Sequence, residues 1–139
     1  MIKIQQKDFN IDEEINNIKS EHDSIGAMTS FVGYVRNTNN NKNVESINID
    51  VYEEMALKSL EGIFLKTKEK WSIIDALIIH RFGNLKVNEK IVLVATFSKH
   101  RKDSNESCSY IMDFLKKDAP FWKKEYYSEN DFEWLKNSK

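Results

Sequence analysis

The chain holds one cysteine, one proline and four glycines in 139 residues. A single thiol, Cys108, excludes an internal disulfide and any structural zinc site built on several thiolates. A reducing, cytoplasmic setting is therefore expected. So few glycines leave no Gly-rich phosphate loop, and HExxH, GxSxG and CxxC are all missing. His22, His80 and His100 are the only histidines and show no close ligand spacing, so neither a metal nor a cofactor is expected. Long apolar runs are also missing. The longest apolar-rich run, Ile91 to Phe97, falls far short of the ~20 residues that span a bilayer. The opening residues, MIKIQQKDFNIDEE, lack the roughly 7–15-residue apolar stretch of a secretory signal. A protein that is neither exported nor embedded in a membrane is expected.

Excess charge is scarce as well, with a net charge of −1. That balance hides an asymmetry. Residues 1–25 carry three lysines against six carboxylates, whereas residues 99–124 carry seven Lys and Arg against four. A basic segment inside a neutral protein points to a local anion site, because a nucleic-acid surface needs a domain-wide basic bias. A solvated helix face would show the same count. The chain is 40% hydrophobic and 12% aromatic, the composition of a folded domain. One domain over residues 1–139 is expected, burying roughly 68–70% of its unfolded surface.

Hydrophobic periodicity divides the chain. Ala27 to Arg36 and Val44 to Tyr52 read as strands. The second alternates Ile47, Ile49 and Val51 with polar residues. The polar stretch Asn37 to Asn43 between them reads as a mobile loop, which suggests that the two strands form an antiparallel pair. Helices are predicted over Ile11 to Lys19, with Asp12 as N-cap, over Glu54 to Trp71, and over Asp103 to Ala119, where Pro120 stops the last. Ile73 to Ile79 and Ile91 to Phe97 are nearly continuous in apolar residues, as central strands buried on both faces would be. The mixed order makes the class α+β.

Two clusters carry candidate chemistry. His80-Arg81 and His100-Arg101 each follow a buried strand, and Arg36 ends another, so three cationic strand ends are available to converge on one anion. Basic residues also flank strands with no such role. The second cluster runs from Lys116 to Glu125 (KKDAPFWKKE). Phe121 and Trp122 stand between lysines, and aromatic walls that lower the local dielectric depress a lysine pKa toward general-base or nucleophile duty. Glu125 is available to orient one of those lysines. A solvated helix C-terminus also favours lysine, and spacing alone does not separate the two readings. Cys108 shares a helical stripe with Ile111, Met112 and Leu115, the position of a packing residue and not of a reactive thiolate.

Four stretches together resemble the large, catalytic subunit of molybdopterin synthase: Phe31 to Asn37 (FVGYVRN), Ile79 to Gly83 (IHRFG), Lys99 to Lys102 (KHRK) and Tyr110 to Glu125 (YIMDFLKKDAPFWKKE). The resemblance runs from about Gly26 to Glu125 and is most specific in the last stretch. It implies an α/β hammerhead-like fold with an additional antiparallel β subdomain. The implied activity is sulfur transfer to cyclic pyranopterin monophosphate, giving molybdopterin. The sulfur would come from the C-terminal glycine thiocarboxylate of a small ubiquitin-like partner subunit, and two large subunits would pair within a heterotetramer. By motif, Lys116 and Lys123 match the active-site lysines. Arg36, His100 and Arg101 match the anion pocket, and Phe31, Met112 and Glu125 match further pocket positions. The resemblance fades before Gly26 and after Glu125, where Lys136 or another side chain of residues 126–139 would have to supply the basic tail common in that family. Two other readings compete: a module that binds an anionic peptide tail or nucleotide without turnover, and a single-strand nucleic-acid binder using Phe121, Trp122 and the nearby lysines. The overall acidic balance disfavours the second.

Overall fold

The computed structural model describes residues 1–128 and 131–135. In chain order the elements are β1 (Ile2–Gln5), α1 (Ile11–Lys19), β2 (Ala27–Tyr34), β3 (Thr38–Asn39), β4 (Lys42–Asn43), β5 (Ser46–Val51), α2 (Glu53–Lys70), β6 (Ile73–Arg81), β7 (Gly83–Lys86), β8 (Lys90–Ser98), α3 (Arg101–Lys117), β9 (Phe121–Ser128) and β10 (Asp131–Trp134). Helices and sheets mix as the α+β expectation required.

The main sheet has the order β1-β6-β8-β2. Only β1 and β6 run parallel. Strands β6 and β8 are central, and their apolar runs are buried on both faces, as their sequence predicts. Alternation then sorts the side chains. Leu77, Ile79, Leu93, Ala95 and Phe97 pack with Ile18 and Phe9 on the α1 side. Ala76, Ile78 and Val94 face the other way, against Leu60 and Ile63 of α2 and Cys108 and Ile111 of α3.

The expected pairing of residues 27–36 with 44–52 does not occur. Strand β2 pairs antiparallel with β8, and β5 pairs with β7 and β9 in a second sheet of order β10-β9-β5-β7. The physical reason is burial. Strand β8 is apolar on both faces and needs a neighbour at each edge, whereas β5 buries only Ile47 and Ile49 and suits a one-sided sheet. The intervening loop is also more ordered than its composition suggests. It folds as the β3–β4 hairpin, whose turn residues Asn40 and Asn41 take φ of 52° and 64°. Asn tolerates this left-handed region, and consecutive positive φ values are what a tight hairpin turn demands.

Helix ends differ by small steps. Asn10, not Asp12, caps α1, its side-chain oxygen accepting from the Glu13 N–H at 2.9 Å. Helix α3 begins at Arg101 and ends at Lys117, with the Asp118 N–H closing on the Phe114 carbonyl. Among the described residues no helix is long and apolar enough to cross a membrane.

Candidate active site

A cavity of about 240 Å³ opens where the main sheet, the C-terminal end of α3 and the second sheet meet. Each wall follows from a local pattern. On the main sheet, Gly33 of β2 and His80 of β6 both pair across β8 with Val92, so the three form one row. Gly33 keeps that row low: a Cβ there would lie 3.1 Å from Val92 Cγ1 and 3.4 Å from the Phe31 ring. Phe31 and Arg36 enter from β2 and the turn after it. The last two turns of α3 supply Met112, Leu115 and Lys116 at helical spacing.

Strand β9 supplies Lys123 and Glu125, two residues apart and therefore on one face. Its other face carries Trp122 and Lys124. Trp122 is thus about half exposed on the outside of the second sheet and does not wall the lysines, contrary to expectation. Phe121 does turn inward and is buried. Lys123 is nonetheless desolvated. Burial pushes its pKa below the usual lysine value, and the positive charge of Lys116 pushes it the same way.

Glu125 is buried. Its Oε1 accepts from Asn39 Nδ2 at 2.9 Å and from the Tyr127 hydroxyl at 2.8 Å. The same hydroxyl lies 3.0 Å from a Glu133 carboxylate oxygen, so its single proton is shared between the two carboxyl groups. The asparagine-rich hairpin thereby reaches across to a cavity carboxylate, a role its composition does not announce.

Six of the eight motif-matched residues therefore meet at one cavity: Phe31, Arg36, Met112, Lys116, Lys123 and Glu125. His100 and Arg101 do not line it. They are exposed at the N-terminal end of α3. Lys116 lies 15 residues farther along the helix, on the order of 22 Å away at 1.5 Å per residue. The convergence of three cationic strand ends also fails at Arg81. That side chain is buried and spent internally, donating to the Gln6 and Lys90 carbonyls and pairing with Glu89 at 3.2 Å. Lys136 lies outside the described residues.

Cys108 sits in the core among Val94 and Met112, and burial pushes its thiol pKa up to about 11. It does not line the cavity. Away from the cavity, His22 Nε2 lies 3.1 Å from an Asp75 carboxylate oxygen, with Glu21 adjacent. The Met1 ammonium lies 4.0 Å from the same carboxylate, so the group reads as an ion-pair cluster tying the exit of α1 to β6.

Arg36, Lys116 and Lys123 and the hydrogen-bonded carboxylate of Glu125 thus gather around one cavity of an α+β protein, and no thiol lines it. Residues 4–118 match the family described as MoaE protein. The molybdopterin synthase catalytic subunit of Ralstonia nicotianae is 42% identical over 89% of this chain and 70% of its own length. That of Pyrococcus abyssi is 39% identical over 96% of this chain and 88% of its own length. The crystal structure of molybdopterin synthase from Staphylococcus aureus superposes with a TM-score of 0.86 at 29% identity, covering 96% of both chains. The chain belongs to the MoaE family.

Proposed function

We propose that this chain is the catalytic subunit of a molybdopterin synthase, a sulfurtransferase of molybdenum cofactor biosynthesis acting in the cytoplasm. One observation carries the reading. The turn after β2, the end of α3 and strand β9, far apart in sequence, gather Arg36, Lys116, Lys123 and Glu125 around one cavity. A relative named a catalytic subunit presupposes another subunit. Here that partner is a small ubiquitin-like protein whose C-terminal glycine carries a thiocarboxylate. The precursor is cyclic pyranopterin monophosphate. Both are anions, and both need cations in a site that excludes bulk water.

The roles follow from the surroundings. Arg36 offers a planar fork to a phosphate or carboxylate. Lys123 releases a proton more readily than a free lysine because burial and Lys116 disfavour its charge. Lys116, exposed at the rim, stands where an arriving tail passes. Sulfur comes on the partner, so no cysteine of this chain takes part.

His100 and Arg101 enter through a second copy. Helix α3 separates them from Lys116 within one chain, so if they serve the same substrate they do so across a homodimer, within a heterotetramer. The direct test is reconstitution: this protein, a thiocarboxylated small subunit and cyclic pyranopterin monophosphate should yield molybdopterin. Formation of the complex without product would favour the pure binding module.

A further inference from the structure

His80 occupies a costly position. It lies in β6 directly after Ile78 and Ile79, both fully buried, and is itself 3% exposed. An aliphatic side chain there would pack without any polar group to satisfy. Its ring stacks on Phe121, with centroids 3.8 Å apart and planes 17° from parallel, which fixes the ring plane. Nδ1 lies 2.8 Å from the Arg81 carbonyl oxygen. A carbonyl only accepts, so Nδ1 carries the proton and Nε2 is left with its lone pair. Among the described residues no buried side-chain nitrogen or oxygen lacks a partner. Nε2 has none from the protein, so that edge of the ring meets open space, and the space His80 lines is the cavity.

We infer that His80 is a specificity-determining residue of this cavity, its Nε2 accepting a hydrogen bond from an N–H group of the bound anion. The inference rests on the reading given under Proposed function and deepens it. Arg36, Lys116 and Lys123 recognise negative charge and would accept any anion of suitable size. A fixed acceptor beside them adds a second requirement, an N–H donor on the same ligand. Desolvation and the nearby Lys123 charge keep the ring neutral, outweighing the opposite pull of the Arg81 carbonyl, with its pKa down to about 3. A base so weak is no proton relay at neutral pH, so its role is acceptance. Both substrates offer such a donor: a backbone amide in the partner's glycine tail, or a ring N–H of the pterin.

The experiment separates these sources. Nitrogen-15 resonances of histidine are followed in the unaltered full chain while the carboxylate-terminated small subunit and cyclic pyranopterin monophosphate are added separately. The His80 Nε2 signal, starting in the unprotonated range, should move upfield with one of them. Its failure to move with either, while binding is seen, overturns the inference and leaves the functional reading standing. Absence of both binding and turnover in the unaltered protein overturns that reading and the inference together. Two variants add a kinetic arm. His80→Asn retains a donor for the Arg81 carbonyl but loses the acceptor at the Nε2 position, and should raise the KM or Kd for the responding ligand about tenfold with a smaller change in kcat. His80→Gln places an acceptor near the Nε2 position and should recover much of that loss. Unchanged constants in a folded His80→Asn protein also overturn the inference.

Discussion

Cys108 and Lys116 share α3, about two turns apart, yet their surroundings are opposite. The thiol is buried, with its pKa raised to about 11. The amine lies at the cavity rim. Cys108→Ala should therefore keep most turnover and cost only about 1 kcal/mol of stability. Lys116→Ala should lose nearly all turnover with fold and partner complex intact, and Lys123→Ala should be severely impaired. Activity assays on the three purified variants test this, and an inactive Cys108→Ala beside an active Lys116→Ala would reject it. His80 gives a pH prediction. Its folded pKa, about 3, lies below the ordinary 6.5, so the unfolded chain binds more protons between those values. Stability contributed by the neutral ring is complete above pH 6.5 and is lost as pH falls toward 3. The slope reaches at most about 1.4 kcal/mol per pH unit. Urea unfolding between pH 6.5 and 4.5 should show that slope in the unaltered protein and a shallower one in His80→Asn.

At the scale of elements, the β3–β4 hairpin supports a cavity residue it does not adjoin in sequence. Asn39 Nδ2 donates to buried Glu125, and Lys42 rests on the Tyr127 ring 4.6 Å from its centroid. Asn39→Ala should remove one hydrogen bond to buried Glu125, costing about 1–2 kcal/mol in urea unfolding, and should lower turnover severalfold by loosening Glu125. Asn39→Asp should be worse on both counts, since two carboxylates would then face each other. Equal activity in all three proteins would dissociate the hairpin from the site. The run of asparagines signals a turn, and two of them do take the turn's positive φ. It does not signal the reach of Asn39 to β9, because that contact spans 86 residues of sequence. Strand pairing was hidden for the same reason. Periodicity exposes the alternation of β5, but which strand it joins depends on where all the buried faces find partners.

At the scale of the whole molecule, the separation of Lys116 from His100 and Arg101 makes a dimer prediction. If each site takes Lys116 from one copy and Arg101 from the other, Lys116→Ala should be inactive alone and Arg101→Ala nearly so at precursor concentrations well below its raised Kd. Mixed after dissociation and reassociation, they should regain activity. The mixed dimer holds one intact site and one doubly altered site, so it should approach half the turnover of the unaltered dimer. No recovery, with mixed dimers demonstrated by mass, would place Arg101 outside the partner's site. Substrate affinity checks the same point independently. Arg36→Ala and Arg101→Ala should each weaken precursor binding by roughly 1.5–3 kcal/mol, the range of a charge-assisted hydrogen bond, without altering small-subunit binding.

Local physics made several features readable in the sequence itself. Unbroken apolar runs marked β6 and β8 as central, 3–4 spacing marked α2 and α3, and the apolar stripe marked Cys108 as a core residue. The order of the four motif stretches marked the family, and with it six residues that do line one cavity. Tertiary structure alone decided the rest. It turned Trp122 outward and Lys123 inward, because adjacent strand residues face opposite ways and only the packed sheet says which face is buried. It consumed Arg81 in backbone carbonyls and carried His100 and Arg101 a helix length from Lys116. It also left His80 with one nitrogen bonded and the other open to the cavity. Such outcomes depend on contacts between residues far apart in the chain, which compete for limited buried space, and no local pattern encodes the result of that competition.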